Sequence, residues 1–213
     1  INNHSDYQGR YTYQNQPSIG HWNLWTWLNN LIPLATPEHK EQFKHDLATC
    51  LEQFEPTFLH HYGQGLCEKM GLPHFHKDSL DCSFAFLRIL QTEQLDYTQS
   101  FIRLQNKAYK ALRDDCLDLR QFDAFLHQYQ DIRNNQDTDE LDRIMQGANP
   151  HYILRNHMAQ KAIEQAERGD FSEVDRLFKL LNQPYQKQPE LETEQDTAPL
   201  PSDVPEISVS CSS

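Results

Sequence analysis

Eleven histidines are the first residues here that could do chemistry, because imidazole is a common ligand of transition metals. The closest groupings are the pairs His60 and His61, His74 and His76, and His4 and Asp6. None is a helix-spaced pair backed by a third ligand, the pattern of a catalytic zinc helix. We therefore expect surface or turn histidines and no metal-binding residue, and keep a metal-binding helical protein as a third hypothesis.

Five cysteines could supply thiolate chemistry: Cys50, Cys67, Cys82, Cys116 and Cys211. Their odd number and wide spacing, with no CxxC pair, fit neither a disulfide scaffold nor a zinc ribbon. The first four lie among apolar residues, and we expect them to be buried in a core. Cys211 lies in a polar segment where an exposed thiol can react. It is the candidate redox residue, and an inert tail cysteine is the alternative.

Two cations stand in polar and aromatic surroundings. Arg155 follows Asn149–Pro150 and suggests either a structural salt bridge or carbonyl cap, or a contact to an anion or partner. Arg10 lies with Asp6 in the polar run 1–16, which is either a hydrogen-bonded loop on the next helix or a functional loop. The sequence has no glycine-rich phosphate cradle and no GxSxG, HRD or DFG motif. We therefore assign no catalytic and no cofactor-binding residue to this chain.

Composition narrows the class of partner. Nineteen basic residues face 31 acidic ones, a formal charge of −12, which argues against binding nucleic acid or an anionic membrane. No run approaches 18 apolar residues, and no signal peptide is visible, so we expect no membrane association and a cytoplasmic location. The location would be mitochondrial if the source is eukaryotic. A chain of 213 residues can bury a substantial core.

Helical periodicity dominates the first third of the chain. A helix is predicted from Pro17, with an apolar stripe of Leu24, Leu28, Leu31 and Ile32 widened by Trp22 and Trp25. Thr36-Pro37-Glu38 predicts the start of one long amphipathic helix with Phe43, Leu47, Leu51, Phe54 and Phe58 on one face. Gly63, Gly65, Gly71 and Pro73 are expected to break the stretch that follows.

Further helices are predicted over about 79–92, from Asp96, and around 119–129. Asn149-Pro150 predicts another helix start, Gly169 its end, and Asp170 with Glu173 a capping box for a last helix. That last helix would bury Phe171, Val174, Phe178 and Leu181 and would end at Pro184. Proline and acid enrichment from Lys187 predicts a flexible tail, and no strand pattern occurs before Ile207–Val209.

The predicted fold class is therefore all-α. Its divisions are a loop segment over 1–16, a helical lobe over 17–186 and a flexible acidic tail over 187–213 that ends in Cys-Ser-Ser.

A set of short segments runs in order along the chain: Asp6–Tyr11, Asn15–Pro17, Trp22–Leu24, Asp96–Thr98, Asn149–Pro150 with Leu154–Asn156, Gly169–Asp170, Pro184–Tyr185 and Cys211–Ser213. Taken together, these segments resemble the selenoprotein O family of protein adenylyltransferases. The resemblance implies a protein-kinase-like fold, in which ATP is bound in reversed orientation. It also implies transfer of AMP from ATP, with Mg or Mn, to Ser, Thr or Tyr hydroxyls of protein substrates.

The family's nucleotide-binding and metal-binding residues lie upstream of the segment that matches Asp6–Tyr11. We therefore expect this chain to be the C-terminal helical lobe, roughly the last two-fifths, of a family member, inactive when isolated. Cys211 stands where animal members carry selenocysteine, which implies a redox role. Asn2 occupies the position where many bacterial members carry the partner cysteine. The competing hypothesis is a non-catalytic scaffold formed by the helices around 150–181 and the tail.

Overall fold

The computed structural model describes residues 6–74, 76–134 and 136–198. These ranges are helical and contain no strand, as the all-α prediction requires. Their α-helices are α1 Gln16–Leu31, α2 Lys40–Glu52, α3 Phe54–Met70, α4 Lys77–Thr92, α5 Tyr97–Gln105, α6 Tyr109–Asp114, α7 Leu119–Asn134, α8 Thr138–Ala148, α9 Asn156–Ala166, α10 Ser172–Asn182 and α11 Glu194–Thr197. Contacts divide the described residues into unit 1, residues 6–62, and unit 2, residues 63–198. This division lies inside α3, where the sequence predicted one lobe over 17–186.

Unit 1 begins as predicted and then departs from the prediction. Helix α1 has Pro17 at its start, where a missing amide proton costs nothing. Thr36–His39 forms a turn, closed by the His39 amide donating to the Thr36 carbonyl at 3.0 Å, so α2 starts at Lys40 rather than at Pro37. The predicted long helix is two helices, α2 and α3, which meet at Gln53.

Unit 1 has no core of its own. Among residues 6–62 no side chain is fully buried, although α1 and α2 pack against each other. Three tryptophans of α1, Trp22, Trp25 and Trp27, are each about half exposed. The apolar stripe predicted for α1 is therefore only partly covered: Leu28, Leu31 and Ile32 are half-buried, while Leu24 is exposed.

Unit 2 contains the main core, built mostly by α3, α4, α5 and α7. Phe86 of α4 stacks on Phe125 of α7 at 4.9 Å between ring centroids and meets Phe101 of α5 edge-on at 5.2 Å. Helix α3 runs through Gly63 and Gly65, so the predicted break there is wrong. It ends at Met70, just before Gly71, whose φ of +57° is a conformation that favours glycine.

Between α8 and α10, two of the predicted helix caps differ from those in the structure. Asn149 ends α8 instead of starting a helix, and its side-chain amide donates to the Lys69 carbonyl at 2.7 Å. Helix α9 begins at Asn156, and Gly169, with φ +84°, follows its end. Asp170 accepts the Ser172 amide at 3.0 Å, but Glu173 pairs with Arg176 instead of closing the predicted capping box.

The buried face of α10 was also predicted wrongly. Phe171, Val174 and Phe178 are exposed, the last at 69%. Leu177 and Leu180 are the buried residues, in a second cluster with Tyr152, Met158 and Ala162. Leu181 packs against that cluster only partly buried.

Residues 188–198, which we call the strap, fold over this second cluster. The Gln188 side chain is buried and donates to the Leu180 carbonyl at 2.8 Å. Tyr152 accepts the Gln188 amide at 2.9 Å and donates to Glu192 at 2.6 Å. Thr193 and Asp196 form a capping box around α11. The predicted tail boundary at 187 therefore falls beside a packed segment, and residues 199–213, including Cys211, lie outside the described part of the chain.

Candidate functional site

The loop that holds Asp6 and Arg10 is ordered by backbone hydrogen bonds. The Asp6 carboxylate accepts the amides of Arg10 and Tyr11 at 2.9 and 2.8 Å. The Arg10 guanidinium lies 4.5 Å from the centre of the Trp22 ring on α1. Such a cation on an aromatic face contributes about 0.5–1 kcal/mol at an exposed site. The contacts match the predicted alternative of a hydrogen-bonded loop packed on the next helix.

Arg155 joins the starts of two helices. Its guanidinium donates to Asp96 at 2.7 Å, and the other oxygen of Asp96 caps α5 by accepting the Gln99 amide at 2.9 Å. Burial raises the pKa of Asp96, but the hydrogen bond from Arg155 and the cap amides outweigh it and leave that pKa lowered. Within the described chain, the buried Nε of Arg155 has no hydrogen-bond partner. Of the two predicted readings, the structure shows the structural salt bridge.

A buried cluster around Arg133 was not anticipated from the sequence. The guanidinium donates to the Gly71 carbonyl at 3.0 Å and to the Tyr129 hydroxyl at 3.2 Å, and it pairs with Asp142. Tyr129 in turn donates to the Met70 carbonyl at 2.9 Å. The only sequence signal was the i, i+4 spacing of Tyr129 and Arg133 in an otherwise polar helix end. The cluster holds the turn after α3, and the partners of its guanidinium are protein groups.

Arg176 forms the second unanticipated cluster and ties the strap to α10. It contacts Glu173 at 2.9 Å and Asp196 at 2.8 Å, and it donates to the Leu191 carbonyl at 2.7 Å. The hydrogen bonds from Glu173 and then Asp196 raise the pKa of this guanidinium. Burial raises the pKa of Tyr152 beside it to about 12, with the Glu192 carboxylate adding to the shift. All these groups are used in holding the strap, so the cluster is structural.

The histidines form no metal site in the residues that the structure describes. His60 and His61 meet ring to ring at 5.2 Å, and His74 lies 3.7 Å from Glu68. Across residues 6–74, 76–134 and 136–198, no group of three or more His, Cys, Asp or Glu side chains could hold a metal ion. His4 lies outside these ranges.

Three of the four cysteines predicted to be buried are buried, and one is not. Burial raises the pKa of Cys67, raises that of Cys82 to about 12 and raises that of Cys116 to about 11, so their reactive thiolate forms are scarce at neutral pH. Cys50 is exposed, which corrects the prediction. It sits on α2 in unit 1, where no core exists to bury it.

An apolar groove runs along unit 1 between its helices. One cavity of about 470 Å³ is lined by residues that include Trp25, Leu28, Leu47 and Leu51. Another of about 490 Å³ shares Leu28 and Leu51 and is also lined by Trp27, Cys50 and Phe54. The two cavities share the lining residues Leu28 and Leu51, and we call their combined lining the groove. Most of its lining residues are apolar, and polar side chains such as Lys44, Glu52 and His61 stand among them, which suits contact with an apolar surface that has a polar edge.

No helix in the described ranges has both the length and the apolar character needed to cross a bilayer.

These features define a helical protein in which the ionisable clusters of the described residues stabilise the fold. Comparisons with known proteins identify its family. The family model described as protein adenylyltransferase SelO matches residues 1–182, so the chain belongs to the SelO family. Its curated relatives include the proteins named protein nucleotidyltransferase YdiU from Pectobacterium atrosepticum and Klebsiella pneumoniae. They are each 37% identical to this chain, over 100% and 87% of its residues. A protein of the same name from Yersinia pseudotuberculosis is 36% identical over the whole chain.

The chain therefore belongs to a family of nucleotidyltransferases, as the resemblance indicated. It spans 44% of the Pectobacterium relative and 38% of the Klebsiella relative, less than half of either protein.

Proposed function

We propose that this chain is the C-terminal helical part of a protein adenylyltransferase with a kinase-like fold. The whole protein would transfer AMP from ATP to Ser, Thr or Tyr hydroxyls of protein substrates, with Mg or Mn. The isolated chain would not carry out the transfer. The observation that carries the proposal is the family match over residues 1–182, combined with coverage of 44% of a relative's length.

The proposed reaction is a displacement at the α-phosphorus of ATP. The acceptor hydroxyl oxygen forms a bond to that phosphorus, the bond to the bridging oxygen of the β-phosphate breaks, and pyrophosphate leaves as the hydroxyl loses its proton. A divalent ion would neutralise charge on the phosphates. The acidic and histidine side chains of the described ranges offer no group that could hold such an ion, so ATP and metal are proposed for the whole protein and no step is assigned to a residue here. Cys211 is the proposed redox residue.

The test uses ATP labelled on the α-phosphate, a divalent ion and an acceptor protein. We expect no label on the acceptor with the isolated chain and clear labelling with the full-length relative from Pectobacterium atrosepticum. A joined protein, in which this chain replaces the matched segment of that relative, should also transfer the label. ATP labelled on the γ-phosphate should give none.

Each arm has an outcome that opposes the proposal. Label transfer by the isolated chain above a no-protein blank would show a complete site within it. Labelling from the γ-phosphate would indicate kinase chemistry instead. A joined protein that folds but transfers neither label would mean that this helical part does not support the reaction.

A second candidate function is a non-catalytic interaction module formed by α9, α10 and the strap. The exposed apolar side chains of Phe171, just before α10, and of Val174 and Phe178 on α10 favour it. A segment over 150–213 should then give a helical circular dichroism spectrum with a cooperative thermal transition. A coil spectrum would remove this candidate.

A further inference from the structure

Unit 1 exposes more apolar surface than a stable helical unit normally leaves uncovered. Its three α1 tryptophans are 46%, 51% and 58% exposed, and Leu59 of α3 is 54% exposed. Tryptophan is one of the largest apolar side chains, and burying one typically contributes several kcal/mol. No side chain in residues 6–62 is fully buried, so much of this apolar surface is open to contact with another segment.

The groove is a concave part of this surface. Its two cavities, of about 470 and 490 Å³, share the lining residues Leu28 and Leu51. Each alone is of the size that holds a few large side chains. Polar groups such as Lys44, Glu52 and His61 stand among the lining residues, an arrangement typical of an apolar contact with a polar rim.

The length of the relatives indicates what occupies the groove. The family match includes all of unit 1, yet the chain spans only 44% of the Pectobacterium relative, so more than half of a family polypeptide lies outside it. A segment of the same polypeptide is present at an effective concentration of roughly millimolar. A separate partner or a second copy would have to reach that occupancy from dilute solution.

We infer that the groove receives an apolar segment from the part of a family polypeptide that this chain does not span. The inference rests on the proposed function, because it takes the chain as one part of a longer protein. The occupant would bring large aliphatic or aromatic side chains against Leu28 and Leu51. It would also cover the thiol of Cys50, which lines the same groove.

Cys50 provides a direct measurement of that coverage. Both the isolated chain and the joined protein are treated with a short pulse of N-ethylmaleimide, and mass spectrometry quantifies label on the Cys50 peptide. We expect Cys50 to react at least roughly tenfold more slowly in the joined protein, because a covered site reacts only when it opens. A cysteine at the Leu117→Cys position, where the native side chain is 94% exposed, should react equally fast in both.

Matched substitutions locate the protection. Leu28→Asp places a charge in the groove and should restore fast labelling of Cys50 in the joined protein. Phe178→Asp makes the same kind of change at an exposed apolar position of α10 and should leave Cys50 protected. Slow labelling of the buried Cys67 and Cys82 reports that unit 2 has folded in every sample. If the joined protein fails that check, the two parts are co-expressed as separate chains and labelled in the same way.

Three results would overturn the inference. Cys50 that stays fast in the folded joined protein would show an uncovered groove. Protection that survives Leu28→Asp would place the cover elsewhere. Protection of Cys50 in the isolated chain that grows with its concentration would identify a second copy as the occupant. Labelling requires no AMP transfer, so the proposed function and this inference can fail separately.

Discussion

Three arginines of unit 2 form ion pairs with aspartates that lie elsewhere in the chain. Arg133 pairs with Asp142, Arg155 with Asp96, and Arg176 with Asp196. Each guanidinium is largely shielded from solvent, where an ion pair is weakened less by water than on an open surface. Truncating one partner then leaves a buried charge without compensation. These pairs therefore fix how the paired segments meet, even where their net contribution to the free energy of unfolding is small.

Asp96 should make the stability of unit 2 depend on pH. Because its pKa is lowered in the folded state from a usual 3.8, its contribution is fully present above about pH 4 and is lost as pH falls through the folded pKa. Asp96→Asn keeps a side chain that can cap α5 but removes the charge facing Arg155. We expect a loss of about 1–3 kcal/mol in the free energy of unfolding at pH 7, measured by urea denaturation.

The same measurement at successively lower pH values below about 4 should show a shrinking difference, since protonation of Asp96 removes the charge that faces Arg155. Asp123→Asn is the matched control, because Asp123 also pairs with an arginine, Arg113, but on the open surface. Its urea midpoint should match that of the unchanged protein. A loss at pH 7 that stays constant down to pH 3 would contradict the ion-pair explanation.

At the scale of helices, local signals in the sequence predicted where a helix starts better than which face of it is buried. Pro17 and Asp96 mark the starts of α1 and α5 as expected, because proline and a capping carboxylate act on adjacent backbone. The buried face of α10 was predicted wrongly because Phe171, Val174 and Phe178 are more apolar than the face that is covered. The strap, which covers Leu177 and Leu180, has the composition of a polar tail. Its ion pair between Asp196 and Arg176 is visible only in the structure.

The candidate sites followed the same rule. The hydrogen-bonded loop around Asp6 and the salt bridge of Arg155 were both among the predicted alternatives, because polar neighbours in the sequence marked both residues. The partner of Arg155, Asp96, lies 59 residues away and was not predicted. The Arg133 cluster joins groups 62 residues apart in the case of the Gly71 carbonyl, and no local pattern announces it. Burial of Cys50 was expected from its apolar neighbours, but in unit 1 those neighbours are not themselves covered.

Gly65 in α3 and Gly71 just after it should respond oppositely to alanine. Gly65 lies inside the helix with open space where a Cβ would stand, so Gly65→Ala should stabilise the protein by about 0.5–1 kcal/mol. Gly71 has φ +57°, and a Cβ there would stand 2.3 Å from the Arg133 guanidinium and 3.1 Å from the Leu141 carbonyl. Gly71→Ala should therefore destabilise it by about 2 kcal/mol or more.

Gly169→Ala separates the two causes, because Gly169 has φ +84° but open space around it. The Gly169→Ala variant should lose about 1 kcal/mol in the free energy of unfolding, from backbone strain alone. Urea midpoints for the three variants give the order directly. An equal loss for Gly71→Ala and Gly169→Ala would mean that the close approach of Arg133 adds nothing.

The strap should behave as part of the fold rather than as a tail. A chain ending at Ala198 keeps every described strap contact, and its unfolding midpoint in urea should match that of the full chain. A chain ending at Lys187 loses Gln188, Leu191 and Asp196, leaving Arg176 without one of its carboxylates. We expect its free energy of unfolding to fall by about 2–4 kcal/mol, because it loses both apolar burial and charged hydrogen bonds. Equal midpoints for both truncations would restore the sequence prediction of a free tail from 187.

At the scale of the whole chain, the two units differ in what holds them. Unit 2 has the aromatic cluster of Phe86, Phe101 and Phe125, while unit 1 has stacked rings along one helix, Phe54, Phe58 and Tyr62, without a buried centre. Because burial of apolar surface is the dominant stabilising term, the free energy of local opening should differ between them. Short helices without tertiary packing are only marginally stable in water.

Native-state hydrogen exchange of the isolated chain should therefore separate the units. Amides of α4, α5 and α7 should exchange slowest, with opening free energies near that of global unfolding. Amides of α1 and α2 should exchange far sooner, and the amides in the last turns of α3 should resemble unit 2, since Leu66, Cys67 and Met70 are buried there. In the joined protein the exchange of α1 and α2 should slow while that of α7 changes little. Equally slow exchange of α1 and α7 in the isolated chain would show that unit 1 is stable without any cover for its groove.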